Sequence, residues 1–252
     1  MKRNLLIFVL IFVFVNSAHF AFGQKDEKQF GVKFSGYVKN DFYYDTREVV
    51  NGREGHLLLW PQSPSYDTEG RDINAHGKFH FLAIQTRLTG NITGPDALGA
   101  KTSAMFEGEF FGSSDSDING FRLRHALIKL NWEKSEILTG QTWHPMFVTE
   151  NSPGTVSFNT GLGFQPFARN PQIKYTFRLG NIRLAATAFT ERDFQSRNLT
   201  GTPSGDYIRN AKIPALNFSF NYGKNNNEAK TAFNTGFAVN YKNIRPSLTT
   251  PL

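Results

Sequence analysis

Two carboxylates two residues apart, Glu107 and Glu109, precede two guanidinium groups at the same spacing, Arg122 and Arg124. Paired carboxylates can act as the acid and base of glycoside cleavage, and arginine's planar fork suits a carboxylate or phosphate. A spacing of two, however, follows from strand alternation alone, because successive side chains point to opposite faces. Phe106 and Phe110 take the other face of the first run, and Phe121 and Leu123 that of the second. The chemistry expected is therefore electrostatic rather than catalytic: a sheet with one apolar and one charged side. On the charged side Glu107 and Glu109 neutralise Arg122 and Arg124 across the wall, set a transverse field with them, or do both.

Other chemistry-bearing spacings are weaker. Asp115-Ser-Asp117-Ile-Asn119-Gly120 begins like a calcium loop, but its twelfth position is Ala126 and no helical pattern flanks it. His76 and His80 are four apart, a spacing that converges on a helix and not on a strand. There is no cysteine, so thiolate ligands, thiol nucleophiles and disulfides are excluded. Gly-x-Ser-x-Gly, Gly-x-Gly-x-x-Gly and Walker patterns are all absent. No catalytic residue, metal or cofactor is expected, and the protein is not read as an enzyme.

The chain opens with Lys2 and Arg3, runs from Leu5 to Val15 without a polar residue, and reaches Ala21-Phe22-Gly23 before Gln24. This is the pattern of a secretory signal peptide over 1–23, leaving 24–252 as one domain. The apolar run is too short for a spanning helix, which needs roughly 20 residues. The formal charge is +7; without Lys2 and Arg3 the 28 basic residues become 26 against 21 acidic, or +5. No Lys/Arg run concentrates that charge, so nucleic acid is not an expected partner.

Nine segments read as strands: 32–46, 78–92, 100–111, 121–132, 136–144, 172–179, 182–190, 213–222 and 231–241. In 172–179, for example, Ile173, Tyr175 and Phe177 oppose Lys174, Thr176 and Arg178. Arg87 and Arg178 join Arg122 and Arg124 on polar faces. The connections alternate between long (47–77, 145–171, 191–212) and short (93–99, 133–135, 180–181). Membrane barrels show this parity, with long loops on one side and short turns on the other. The expected fold is therefore all-β, a transmembrane antiparallel up-and-down barrel.

Three motifs in fixed order carry a family resemblance: Glu107-Gly108-Glu109-Phe110-Phe111-Gly112, Phe121-Arg122-Leu123-Arg124-His125-Ala126 and Gly140-Gln141-Thr142-Trp143. The chain resembles the DcaP-like outer-membrane porins of Gram-negative bacteria over roughly 79–147, with Thr86 where that family's serine is expected before Arg87-Leu88. The resemblance implies a homotrimer of barrels of about sixteen strands, of which the first nine or so are present here. It also implies an outer-membrane location and a loop after the fifth strand that narrows the channel. That loop is 145–171, with Glu150 and Arg169. The expected function is passive diffusion of small hydrophilic, anionic (carboxylate-type) solutes past Arg87, Glu107, Glu109, Arg122, Arg124 and Arg178. The competing readings are an outer-membrane barrel acting through its loops, as adhesin or enzyme, and a secreted carbohydrate-binding β-sandwich. No strand after 231–241 ends on a terminal aromatic; the chain runs to Pro246-Ser-Leu-Thr-Thr-Pro-Leu252, so it is expected to be truncated.

Overall fold

The computed structural model describes residues 30–112, 114–152, 168–191, 200–201, 205–226, 228 and 230–249; the signal peptide expected over 1–23 lies outside them. Thirteen strands follow in chain order: β1 (Gly31–Tyr37), β2 (Asp41–Asp45), β3 (Val49–Gly52), β4 (Leu57–Pro61), β5 (Lys78–Leu82), β6 (Arg87–Thr93), β7 (Lys101–Phe110), β8 (Phe121–Asn131), β9 (Ser135–Trp143), β10 (Arg169–Leu179), β11 (Ile182–Phe189), β12 (Ala215–Asn226) and β13 (Thr231–Tyr241). Nine of them form one antiparallel sheet in the order β1-β6-β7-β8-β9-β10-β11-β12-β13. Apart from the β2–β5 excursion, each strand pairs with the next in sequence, which is up-and-down topology. The nine strands match the number expected in this chain; among the described residues the sheet is open, with β1 and β13 as its edges, and no closed barrel is formed.

The apolar side chains lie on the face that no other sheet covers. Phe34 on β1 is 61% exposed and Phe233 on β13 is 60% exposed, with Leu88, Phe121, Ile173, Phe218 and Phe237 exposed between them. The largest fully buried side chains include a glutamate, Glu109, and an asparagine, Asn170. Phe111 and Phe189 are fully buried too, but buried polar side chains outnumber buried apolar ones and most aromatics stand outside, the reverse of a water-soluble core. A sandwich would have buried that apolar face on a second sheet.

Two expected strands are each broken in two. The runs 32–46 and 78–92 split into β1 and β2, and into β5 and β6. Between the pairs Tyr37↔Arg87 and Asp41↔Leu82 lie three residues on one side and four on the other. The extra residue makes a bulge, and Gln85 takes φ +68° there. Lys39 N donates to Thr86 Oγ1 at 3.3 Å across the break. Face parity therefore shifts, so odd-numbered Phe79 and Phe81 and even-numbered Leu88 all stand exposed. Within 47–77, expected as a loop, β3 and β4 form a short hairpin. One helical turn, Asp206–Arg209, lies in the connection before β12.

Glycines admit aromatic rings and close backbone contacts on this sheet. A Cβ at Gly90 or Gly108 would fall within 2.4 Å of the Phe106 or Phe121 ring, respectively. Gly140 in β9 has φ +124°, and a Cβ there would sit 2.1 Å from the Ala126 carbonyl oxygen. Gly140→Ala is therefore expected to destabilise the fold by about 2 kcal/mol or more, from strain and clash together. Gly70→Ala, at φ +75° with open space around it, should cost only about 1 kcal/mol. Urea titration of the protein refolded in detergent micelles checks both; equal midpoints for the two variants would contradict the assigned β8–β9 approach.

Candidate functional site

The charged motif residues meet where β6, β7 and β8 lie side by side. Glu109, completely buried, accepts hydrogen bonds from Arg87 Nη2 at 2.8 Å, Arg122 Nη2 at 3.0 Å and Arg124 Nη1 at 2.6 Å. Glu107 accepts from Arg124 Nε at 2.6 Å and from Thr89 Oγ1 at 2.9 Å. Arg124 thus bridges both carboxylates. It can do so because it is the extra residue of a second bulge: Glu107 pairs with His125 and Gly108 with Leu123, leaving Arg124 unopposed. The bulge lets two consecutive side chains, Arg124 and His125, both turn inward and become buried.

The Gln141 amide completes the β8–β9 ladder where its backbone bonds stop. Pairing of β8 with β9 ends at Ala126↔Gln141. Beyond it Gln141 Nε2 donates to the carbonyl oxygens of Leu123 and Arg124 at 3.2 and 3.1 Å. Within the continuous β9–β10 ladder, Gln172 Nε2 donates to the oxygens of Thr142 and Trp143 at 3.2 and 2.7 Å. Arg124 and Arg169 both place their guanidinium carbon over the Trp143 ring, at 5.6 and 5.1 Å. His125 Nδ1 lies 3.1 Å from Thr142 Oγ1.

The inner face encloses a cavity of about 1190 Å³, lined among others by Arg87, Glu107, Arg124, Arg178 and Glu150. The other expected residues lie elsewhere. Glu109 is sealed beneath its three arginines. Arg122 turns toward the end with the long connections, its guanidinium 5.1 Å from the Phe111 ring centre. Arg169 was expected in the loop 145–171 but is the first residue of β10, buried over Trp143. The strand runs through Pro171, whose missing N–H faces the β11 side, where Asn170 Nδ2 donates to the Thr190 oxygen at 3.3 Å.

Four cavity-lining charges were not singled out from sequence: Lys129, Glu136, Lys174 and Arg183. Arg178 Nη2 meets Glu136 Oε2 at 3.1 Å, and Lys129 Nζ lies 3.7 Å from the same atom. Continued alternation finds Lys174, which shares parity with Arg178 on β10, but it misses Lys129, because the extra residue at Arg124 shifts parity along β8.

From the end of β9 the chain turns inward. His144 packs edge-on to Phe189 at 4.8 Å, and Phe147 lies 4.7 Å from the Trp143 ring. The segment then crosses toward the opposite end of β11, where Glu150 Oε1 accepts from Arg183 Nη1 at 2.5 Å. Small inner residues on the way, Ala185 and Thr187 on β11 and Ser219 on β12, leave room for it. Burial lowers the His144 imidazole below the ordinary histidine range, which keeps Nδ1 free to accept from Met146 N at 3.2 Å. Burial alone would raise the Glu150 carboxyl, but the hydrogen bond and charge of Arg183 outweigh it and hold it below the usual carboxylate range. The remainder of the expected loop, 153–167, lies outside the described residues.

No family model matches the chain, and no curated protein matches it. A solved structure does: the crystal structure of the outer membrane channel DcaP of Acinetobacter baumannii, with a TM-score of 0.53 at 21% sequence identity. The match covers 84% of this chain and 59% of that one, so the chain spans less than two thirds of its neighbour's length. At this identity the likeness is one of fold.

Two outcomes are expected. Glu109→Gln leaves the buried Arg124 and the half-buried Arg87 and Arg122 short of a counter-charge and should cost about 3 kcal/mol in urea unfolding. Lys174→Gln, which breaks no ion pair among the described residues, should be close to neutral. As for pH, a carboxyl lowered on folding contributes stability above its unfolded value and loses it as pH falls through the folded value. Hydrogen-exchange protection of 144–151 should therefore drop as pH falls through and below the carboxylate range. In Glu150→Gln it should already be low at neutral pH and stay flat; a step that survives that substitution would show that another group titrates.

Proposed function

We propose that the protein is an outer-membrane porin through which small hydrophilic, preferentially anionic solutes diffuse passively. The observation that carries this reading is the inverted sheet. Aromatic and aliphatic side chains stand exposed on one face, and a charged, hydrogen-bonded face lines a cavity of about 1190 Å³ on the other. A bilayer asks for this arrangement of a barrel wall: apolar toward lipid, polar toward water. The porin-like neighbour supports it at the level of fold.

In this reading 1–23 directs export, further strands close the wall, and the barrels assemble as a homotrimer, as the family resemblance implies. No chemical step is assigned; the protein is a conduit and not an enzyme. The inward course of 144–152 and its contact at Arg183 support a constriction formed by 145–171. Seven basic residues of the inner face (Arg87, Arg122, Arg124, Lys129, Lys174, Arg178, Arg183) stand against four acidic ones (Glu107, Glu109, Glu136, Glu150), a balance of +3. Low-dielectric walls focus such a field and raise the local anion concentration.

The protein carrying whatever strands complete its wall, reconstituted in planar lipid bilayers, should give stepwise conductance, and a KCl gradient should give a reversal potential on the anion-selective side. Removing 146–151 should raise the single-channel conductance. Absence of conductance steps at any voltage would end the channel reading, and cation selectivity would end the anionic one.

A further inference from the structure

The inner-face cations fall into two groups with different freedom. Near the long-connection end, Arg87, Arg122 and Arg124 are each hydrogen-bonded to Glu107 or Glu109. Three cations against two carboxylates leave +1, and the Arg124 side chain is only 6% exposed. These groups are committed to holding the wall.

Toward the short-turn end the balance differs. Lys129, Lys174, Arg178 and Arg183 share the cavity wall with Glu136 and Glu150 only, leaving +2. Arg178 and Arg183 are direct cross-strand partners in the β10–β11 register, on the same inner face. Like charges placed opposite one another destabilise a sheet unless an anion lies between or beside them. Lys174 lies two alternation steps further along the same face of β10, beyond Thr176 and opposite Thr187. It makes no hydrogen bond or ion pair among the described residues, while Lys129, Arg183, Glu136 and Glu150 lie within electrostatic reach of its ammonium. An ammonium facing a cavity has three donors to offer, and Thr176 and Thr187 border it with hydroxyls.

A carboxylate is already seated at this cluster. Glu150 reaches Arg183 from a connecting segment and not from the wall, at 2.5 Å, with both side chains about two fifths exposed, 41% and 40%. A pair so exposed is held weakly and exchanges readily.

We propose that Lys174, Arg178 and Arg183 form a binding site for a carboxylate or another small oxyanion, in which Glu150 is a resident competitor that an incoming anion displaces. The inference rests on the inner face being a channel wall, and it places the anion-selective step at this cluster rather than at the arginines of the sequence motif. Displacing Glu150 frees the 144–152 segment, so that solute binding and widening of the passage become one event.

The test uses the full chain refolded in detergent, with inorganic phosphate as probe at constant ionic strength set by chloride. Acylation of lysines by an amine-reactive ester, read by mass spectrometry, should slow at Lys174 several-fold with phosphate. Lys101, exposed beside a short turn, should be unaffected. In Glu150→Gln the same protection should appear at about tenfold lower phosphate. Unchanged Lys174 labelling would overturn the site, and weaker protection in Glu150→Gln would overturn the competitor role. In bilayers Lys174→Gln should shift the reversal potential toward zero. A conducting protein whose selectivity ignores Lys174→Gln speaks against this site and leaves the channel standing. A protein that does not conduct ends the channel reading, while the labelling result still decides the site.

Discussion

A carboxylate removed from water must be surrounded by donors, and Glu109 is surrounded by three guanidinium groups from two neighbouring strands. Burying that charge alone would be strongly unfavourable. With Arg87 on β6 and Arg122 and Arg124 on β8 it becomes a clamp across three strands, and it fixes which face of each strand points inward. Register then follows, because a slip by one residue would carry Glu109 to the apolar side and its arginines away from it. The bulge at Arg124 belongs to the same constraint. Without the extra residue Arg124 could not bridge Glu107 and Glu109, and His125 could not turn in beside it.

Once the charged face is fixed, the other face can carry what the inside cannot hold. Phe34 meets Phe106 edge-on at 6.1 Å, Phe110 meets Phe121 at 5.0 Å and Phe220 stacks on Phe237 at 5.6 Å. The last two join outward neighbours on adjacent strands, the first reaches from β1 to β7 across Gly90 of the intervening β6, and none is a contact within a core. Gly90 and Gly108 sit under two of the rings, so the aromatics lie flat along the sheet. The apolar surface is continuous from β1 to β13, which in water would be an aggregation liability and against hydrocarbon is a favourable contact.

Much of this was legible in the sequence, and the parts that were not share a cause. Alternation located all nine strands of the main sheet, and 231–241 coincides with β13. Loop parity gave the meander. Alternation failed wherever a residue is added to one strand only, at Gln85 and at Arg124, because a bulge is defined by the partner strand and leaves no mark on its own run. The run Phe121-Arg122-Leu123-Arg124-His125-Ala126-Leu127 does break parity after Arg124, and Leu127 turns inward as a result, but that break reads as noise until Glu107 stands opposite His125. The same holds for Arg169. A proline two residues on reads as loop, yet backbone pairing with β9 continues through Pro171↔Gln141 to Arg169↔Trp143, a partnership that the run itself does not reveal.

Motif residues drew attention because they are clustered in sequence, yet clustering is what neutralises them. Arg87, Arg122 and Arg124 lie close to Glu107 and Glu109, so their charge is spent locally and little of their field reaches the cavity. Lys129, Lys174 and Arg183 come from three different strands, separated in sequence and brought together only by register. Dispersed charges of this kind keep a net field because, among the described residues, Lys174 has no carboxylate beside it and Lys129 must share Glu136 with Arg178. Glu150, from a connecting segment, is the partial exception, and it is the group best able to move. Structural ion pairs and working charges thus occupy the same wall under different rules. Burial and multiple hydrogen bonds mark the first, and exposure to the cavity with an incomplete set of partners marks the second.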